Sequence, residues 1–163
     1  EMEHMLEGYL SFARGEETEK TTLTNVNVLV DGVVLKAQRE GGAIEFCPEK
    51  DINLHLRPNA FLRCLNNIIN NAKYYAENIL VRVSQHEESV EIIVDDDGPG
   101  IPEAKRIEVF KPFYRLDYSR NSQTGGVGLG LTIVRDIVRS HGGEVTLGES
   151  SSGGLRVIVS LPL

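Results

Sequence analysis

The chain has 163 residues, 40% of them hydrophobic, which is enough for one well-packed domain with an appendage and excludes wholesale disorder. Lys and Arg total 17 against 24 Asp and Glu, a formal net charge of -7, so nucleic acid is not an expected partner, because general binding of it rests on a basic surface. No apolar run approaches the roughly 18 residues of a membrane span and no signal peptide is expected, so no membrane contact by this chain is expected.

Residues 1–14 read as a helix with Met2, Leu6, Tyr9 and Ala13 on one stripe and Met5 and Phe12 beside it. So apolar a stripe needs cover, either on its own domain or as the tail of a longer coiled coil or bundle. Gly15 to Thr22 is polar and reads as a linker. Thr24 or Asn25 can cap a helix reaching to about Arg39, with Val26, Leu29, Val30, Val33 and Val34 inward, although the valines alone would also allow a strand. Gly41-Gly42 ends it. Two strands are expected next, Ala43–Cys47 and Ile52–Arg57. Pro58 then suits the first turn of a helix whose Phe61, Leu62, Leu65, Ile68, Ile69 and Ala72 recur at helical spacing.

A hairpin follows, with Ile79, Val81 and Val83 alternating against Val90, Ile92 and Val94 across a turn around His86–Ser89. Residues 102–125 have little periodicity beyond a turn of helix near Glu103–Val109, which suits a mobile loop over a site. A last helix from about Gly128 to His141 ends at Gly142-Gly143, and strands Glu144–Glu149 and Leu155–Leu161 close the chain. Strands come mostly as neighbours joined by short turns. The expected fold is therefore an α/β two-layer sandwich, a mixed and mostly antiparallel sheet with helices on one face. Cys47 and Cys64 lack metal-ligand spacing and are expected as two buried thiols in a reducing cytoplasm.

Three motifs carry chemistry. Asn67 and Asn71 lie one helical turn apart, on one edge of their helix with Tyr74 and Tyr75. An asparagine carbonyl beside a triphosphate suits Mg²⁺, which takes oxygen ligands and keeps waters and phosphate oxygens in its shell. Asp96-Asp97-Gly98-Pro99-Gly100 ends a strand, where a carboxylate can accept a bond from the exocyclic amine of adenine and glycines keep the base's approach clear. Gly126-Val127-Gly128-Leu129-Gly130-Leu131 opens a helix whose free N–H groups can meet phosphate. It is neither a Walker loop nor a dinucleotide fingerprint, since no Gly-Lys-Ser/Thr follows it and no strand directly precedes it.

In this order, Asn67-x-x-x-Asn71-Ala72, Asp96-x-Gly98-x-Gly100, Phe110-Lys111-Pro112-Phe113-Tyr114-Arg115 and Gly126-x-Gly128-x-Gly130-Leu131 resemble the N, G1, F and G2 boxes of sensor histidine kinases, with the G1 and F boxes similar to the EnvZ-like group. The resemblance implies the Bergerat-type ATP-binding fold of the wider superfamily of DNA gyrase, Hsp90 and MutL. It implies ATP and Mg²⁺ as ligands, and residues 1–15 as the end of a dimerisation and phosphoacceptor helix, 16–24 as a linker and 25–163 as the catalytic domain. By resemblance Asn71 holds Mg²⁺ and Asn67 supports the phosphates. Asp96 binds the adenine amine, Gly98, Gly100 and Ile101 border the base, and Tyr75 lines the pocket. Arg115 reaches a phosphate from a lid spanning roughly residues 102–125, and Gly126, Gly128, Gly130 and Leu131 close over the phosphate tail. Asn67, Asn71 and Arg115 are the implied catalytic set.

Asn67 also stands where the hydrolytic branches place a water-activating Glu, and an amide cannot act as that base. Two departures stand out. The family's Lys or Arg three residues after the Mg²⁺ asparagine is Tyr74 here, and Lys73 points about 200° from Asn71 on the helix. None of His4, His55, His86 and His141 has the context of a phosphoacceptor, so the acceptor helix is expected outside this sequence. The implied partners are that helical domain, a second copy of the full-length protein and a response regulator. The implied place is cytoplasmic, with the full-length protein anchored in the bacterial inner membrane. The rival readings are a non-catalytic nucleotide-binding module and a hydrolytic ATPase of the same superfamily.

Overall fold

The computed structural model describes residues 19–48, 50–111 and 130–163. Strand β1 (Thr22–Asn25) leads directly into helix α1 (Val26–Arg39). Asn25 is the cap, its side-chain oxygen accepting the Val28 N–H at 3.2 Å. Val26, Val30, Val33, Val34 and Ala37 are buried along α1, so burial at a period of 3.6 overrides the strand preference of valine. Strands β2 (Ala43–Cys47) and β3 (Asn53–Leu56) precede helix α2 (Pro58–Tyr75).

Proline opens α2 as expected, but Arg57 at its cap position makes no side-chain cap bond. The Glu19 carboxylate takes that role, accepting the N–H groups of Asn59 at 2.7 Å and Ala60 at 3.0 Å. A carboxylate there satisfies orphan donors and suits the positive end of the helix dipole. The rest of the chain runs β4 (Asn78–Gln85), β5 (Ser89–Asp96), two short 3₁₀ turns, α3 (Gly130–Ser140), β6 (Glu144–Glu149) and β7 (Leu155–Pro162).

Five strands form one sheet in the order β2-β4-β5-β7-β6, with β2 and β4 parallel and the other pairs antiparallel. One face is apolar and packs under the helices, with Val81, Val83, Ile92, Val94, Val157 and Val159 at its centre. The other face carries Asp95, which accepts bonds from Arg156 at 2.7 and 2.9 Å and from Arg82 at 3.2 Å. This is the mixed, mostly antiparallel two-layer fold that the strand order implied.

Two expectations need correction. The strand near residues 52–57 does not join the main sheet: β3 pairs antiparallel with β1 in a separate two-stranded ribbon, Thr22 opposite Leu56 through Asn25 opposite Asn53. Four residues starting at Thr22 are too short and too polar to show alternation, so β1 passes for linker and cap. Cys47 is exposed while Cys64 is buried. Alternation turns Ile44 and Phe46 inward on the edge strand β2, leaving Cys47 outward with Glu45, whereas burial pushes the Cys64 thiol up. Among the described residues, no helix is long and apolar enough to cross a membrane.

Candidate nucleotide site

Asp96 is the last residue of β5 and is buried, 5% exposed. Alternation places it on the helix side of the sheet, opposite to Asp95. Its Oδ1 accepts the N–H of Gly98 at 2.9 Å and of Leu155 at 3.0 Å. Oδ2 has no hydrogen bond among the described residues, so one acceptor oxygen is fixed in place and open. Burial pushes the carboxyl above its ordinary value, against the pull of those two N–H groups, and the neighbouring Asp97 and Asp95 push the same way.

Asp97 has a different task. Its Oδ1 accepts the N–H groups of Asn78 and Glu77, both at 2.9 Å, and its Oδ2 accepts the Asn78 amide at 2.8 Å. Those bonds, led by the backbone N–H of Asn78, hold it below the usual carboxylate range. Asp97 thus fastens the start of β4 to the end of β5.

Gly98 passes tightly under the end of α2: a Cβ there would stand 2.7 Å from the Tyr75 carbonyl oxygen. Gly100 adopts φ +73, the left-handed region that favours glycine, and Ile101 follows into the core at 7% exposure. Tyr75 is exposed and sits edge-on to Tyr74, ring centroids 4.7 Å apart. Asp96, Gly98, Gly100, Ile101 and Tyr75 are therefore brought to one end of the sheet. Asn67 and Asn71 lie upstream of Tyr75 on α2, half-buried, and neither side chain has a hydrogen-bond partner among the described residues. Lys73 points elsewhere and bonds Glu40 at 3.0 Å, in line with its helical offset from Asn71.

Gly130 and Leu131 form the first turn of α3. Buried Thr132 donates its hydroxyl to the Phe110 carbonyl at 2.7 Å, and the Arg135 guanidinium lies 5.1 Å from the Phe110 ring centroid. The start of α3 and the beginning of the F-box segment are thus tied together. Arg115, Gly126 and Gly128 lie outside the described residues, as does most of the 102–125 segment from residue 112 on.

Sequence reasoning missed the turn between β6 and β7. Ser150 is buried and donates its hydroxyl to the Asp96 carbonyl at 2.6 Å. A Cβ on Gly154 would meet that same oxygen at 2.1 Å. The run Ser150-Ser151-Ser152-Gly153-Gly154 signals only a turn, and nothing in its spacing points 54 positions back to Asp96.

The profile of the histidine kinase-, DNA gyrase B-, and HSP90-like ATPase family matches residues 57–163. The sensor histidine kinase CpxA of Escherichia coli K12 is 37% identical over 137 residues, covering 83% of this chain and 30% of CpxA. Among solved structures, the ATP binding domain of PrrB from Mycobacterium tuberculosis superposes with a TM-score of 0.74 at 26% identity, covering 88% of this chain and 98% of that one. The histidine kinase domain of the E. coli osmosensor EnvZ superposes with a TM-score of 0.69 at 32% identity, covering 88% and 89%. The chain spans less than a third of the length of the curated relatives it matches.

Proposed function

We propose a function from one premise: this chain belongs to the histidine kinase-, DNA gyrase B-, and HSP90-like ATPase family. It is the ATP-binding catalytic domain of a two-component sensor histidine kinase, and it presents the γ-phosphate of ATP to a histidine on a helical domain outside this chain. The observation that carries the reading is the Asp96 carboxylate, one oxygen fixed by two backbone amides and the other open. That oxygen accepts a bond from the adenine exocyclic amine, which guanine cannot supply at the same position. Gly98, Gly100 and Ile101 border the base and Tyr75 covers its edge.

Asn67 and Asn71 fit a Mg²⁺–nucleotide by their donor chemistry. Both are neutral amides with carbonyl oxygens unpaired among the described residues, and no group of three or more His, Cys, Asp or Glu that could hold a metal occurs there. A cation that keeps waters and phosphate oxygens in its shell suits one such protein oxygen, that of Asn71. When bound, Mg²⁺ neutralises phosphate charge. Asn67 steadies the phosphates and, as an amide, takes no proton from water, so the site favours transfer over hydrolysis.

By family resemblance Arg115, in the 102–125 segment, is assigned a phosphate contact, and Gly126, Gly128, Gly130 and Leu131 the phosphate tail. A neutral imidazole is already nucleophilic. Catalysis by Asn67, Asn71 and Arg115 is therefore positioning and charge stabilisation.

By family resemblance residues 1–15 are assigned to the end of a dimerisation helix and the chain to residue 163 to ATP binding; Glu19 and β1 (Thr22–Asn25), expected within a linker, belong to the ATP-binding unit through α2 and β3. The partners are the helical domain, a second copy of the full-length protein and a response regulator. The domain works in the cytoplasm beneath a membrane anchor carried elsewhere in the full-length protein. Relatives that are sensor histidine kinases favour neither the non-catalytic module nor the hydrolytic ATPase. The test is to incubate the chain with radiolabelled ATP and Mg²⁺, alone and with a separately supplied helical domain. Label should appear on the helical domain's histidine and not on the chain alone. Label on His4, His55, His86 or His141 would sink the reading.

A further inference from the structure

At the end of the β5–β7 ladder, hydroxyls stand where a backbone amide belongs. The register pairs Asp95 with Arg156, so Asp96 and Leu155 face one another at the next position. The Asp97 N–H bonds the Asn78 carbonyl on β4, which turns the peptide groups of Asp96 toward β7. In an unbroken antiparallel ladder, Asp96 and Leu155 would then exchange N–H···O=C bonds. The Leu155 N–H goes instead to the Asp96 carboxylate at 3.0 Å. The Asp96 carbonyl accepts the Ser150 hydroxyl at 2.6 Å and the Ser152 hydroxyl at 3.1 Å. Ser150 is 4% exposed and its oxygen also accepts the Gly154 N–H at 2.9 Å, so it is held at both ends.

We infer that Ser150, assisted by Ser152, is a positioning residue for base recognition: by occupying the Asp96 carbonyl it leaves the Leu155 amide on the carboxylate, which aims the open oxygen at the adenine amine. The carbonyl and the carboxylate compete for one N–H, and the serines settle the competition. With both hydroxyls gone, the ladder closes by one more bond and the carboxylate keeps only the Gly98 N–H. An ordinary structural turn would gain or lose stability in that exchange without changing which base is preferred.

This inference rests on the reading of Asp96 as the adenine ligand, and the experiment separates the two. Binding of Mg²⁺–ATP and Mg²⁺–GTP is measured by calorimetry for the chain, for Asp96→Asn and for Ser150→Ala/Ser152→Ala. Carboxyl and amide NMR is recorded for the chain and the double variant. The double variant should weaken ATP about tenfold, the scale of one bond to a charged group, and leave GTP nearly unchanged. The Leu155 amide resonance should move, and the Asp96 carboxyl should titrate at higher pH than in the unaltered chain, having lost a donor to its charged form. Ser150→Ala alone, which keeps Ser152 on the same carbonyl, should show a smaller fall in the same direction. An unchanged ATP to GTP ratio in the double variant, with Asp96→Asn losing the preference, overturns the role of the serines alone. Retention of the ATP preference in Asp96→Asn overturns the nucleotide reading and this inference with it.

Discussion

Replacing Asp96 by Asn separates recognition from folding, because the two oxygens of this carboxylate do different work. Oδ1 accepts the N–H groups of Gly98 and Leu155 at 2.9 and 3.0 Å, and an asparagine carbonyl oxygen can accept both. The amide NH₂ of the variant then stands where Oδ2 was and meets the adenine amine donor to donor. A hydrogen bond to a charged acceptor contributes about 1.5–3 kcal/mol, so ATP affinity should fall by roughly 10- to 150-fold. The fold should not suffer. Burial raises the Asp96 carboxyl above its unfolded value, so the folded chain holds that proton more tightly than the unfolded one. Its favourable contribution to stability is present at acid pH and is lost as pH rises through the folded-state value. At neutral pH the ionised group therefore opposes folding, and a neutral amide should leave the melting temperature unchanged or higher.

The same shift gives recognition a pH dependence. As pH falls toward the raised carboxyl value, Oδ2 gains a proton and becomes a donor. ATP affinity should therefore decline at a higher pH than an ordinary aspartate would dictate, and Asp96→Asn should lack that decline. Calorimetric titration with Mg²⁺–ATP across pH, beside thermal melts of the same samples, reads both effects. Wild-type ATP affinity in a folded Asp96→Asn chain refutes the reasoning, as does a weakened affinity explained by a collapsed melting temperature.

Gly154→Ala would place a Cβ 2.1 Å from the Asp96 carbonyl oxygen, so backbone must shift; we expect a loss of about 1–3 kcal/mol by denaturant titration, with ATP binding impaired. Gly148→Ala, which meets nothing within 4 Å, is the control and should bind ATP normally. Glu19→Ala removes the carboxylate that caps α2 and should cost about 1 kcal/mol, which is a drop of about 2–4 °C in a thermal melt followed by circular dichroism. Lys73→Ala should change ATP affinity less than about twofold, because the ammonium bonds Glu40 at 3.0 Å; a tenfold loss would show that it reaches the phosphates.

The parts of this fold that could be read from the sequence are those whose signal is local. Phe61, Leu65, Ile68, Ile69 and Ala72 repeat at a period of 3.6, and α2 forms where they do. Ile79, Val81 and Val83 alternate, as do Val90, Ile92 and Val94, and the hairpin sets Val81 opposite Val94 and Val83 opposite Ile92. The G1 stretch was legible because Gly98 and Gly100 answer backbone constraints at their own positions. What stayed hidden depends on distant pairing. β1 is a strand only because β3 lies beside it, 34 positions away at Thr22 to Leu56. Glu19 caps a helix 40 residues downstream, where the local cap position holds Arg57. Ser150 meets Asp96 across 54 positions of sequence. In each case one partner is an ordinary polar residue whose composition says surface or turn.

The two helices carrying the N box and the end of the G2 box run in opposite directions, and their far ends are tied. The Arg57 N–H donates to His141 Nε2 at 3.0 Å, and the Arg57 guanidinium meets Ser140 at 3.5 Å and the Glu19 carbonyl at 3.2 Å. Because Nε2 accepts, the ring proton sits on Nδ1 and is shared with the Ile137 carbonyl at 2.8 Å. The N-terminus of α2 and the C-terminus of α3 thus close on each other, which leaves their opposite ends toward the proposed nucleotide site. α2 offers its C-terminal end, the negative pole of its dipole, beside Asn71 and Tyr75, while α3 offers its N-terminal, positive pole at Gly130 and Leu131. A Mg²⁺–nucleotide placed between them would meet the cation-favouring pole where Asn71 lies and the anion-favouring pole where Gly130 lies. Neutral amides at 67 and 71 suit that arrangement better than carboxylates, which would add negative charge next to a triphosphate.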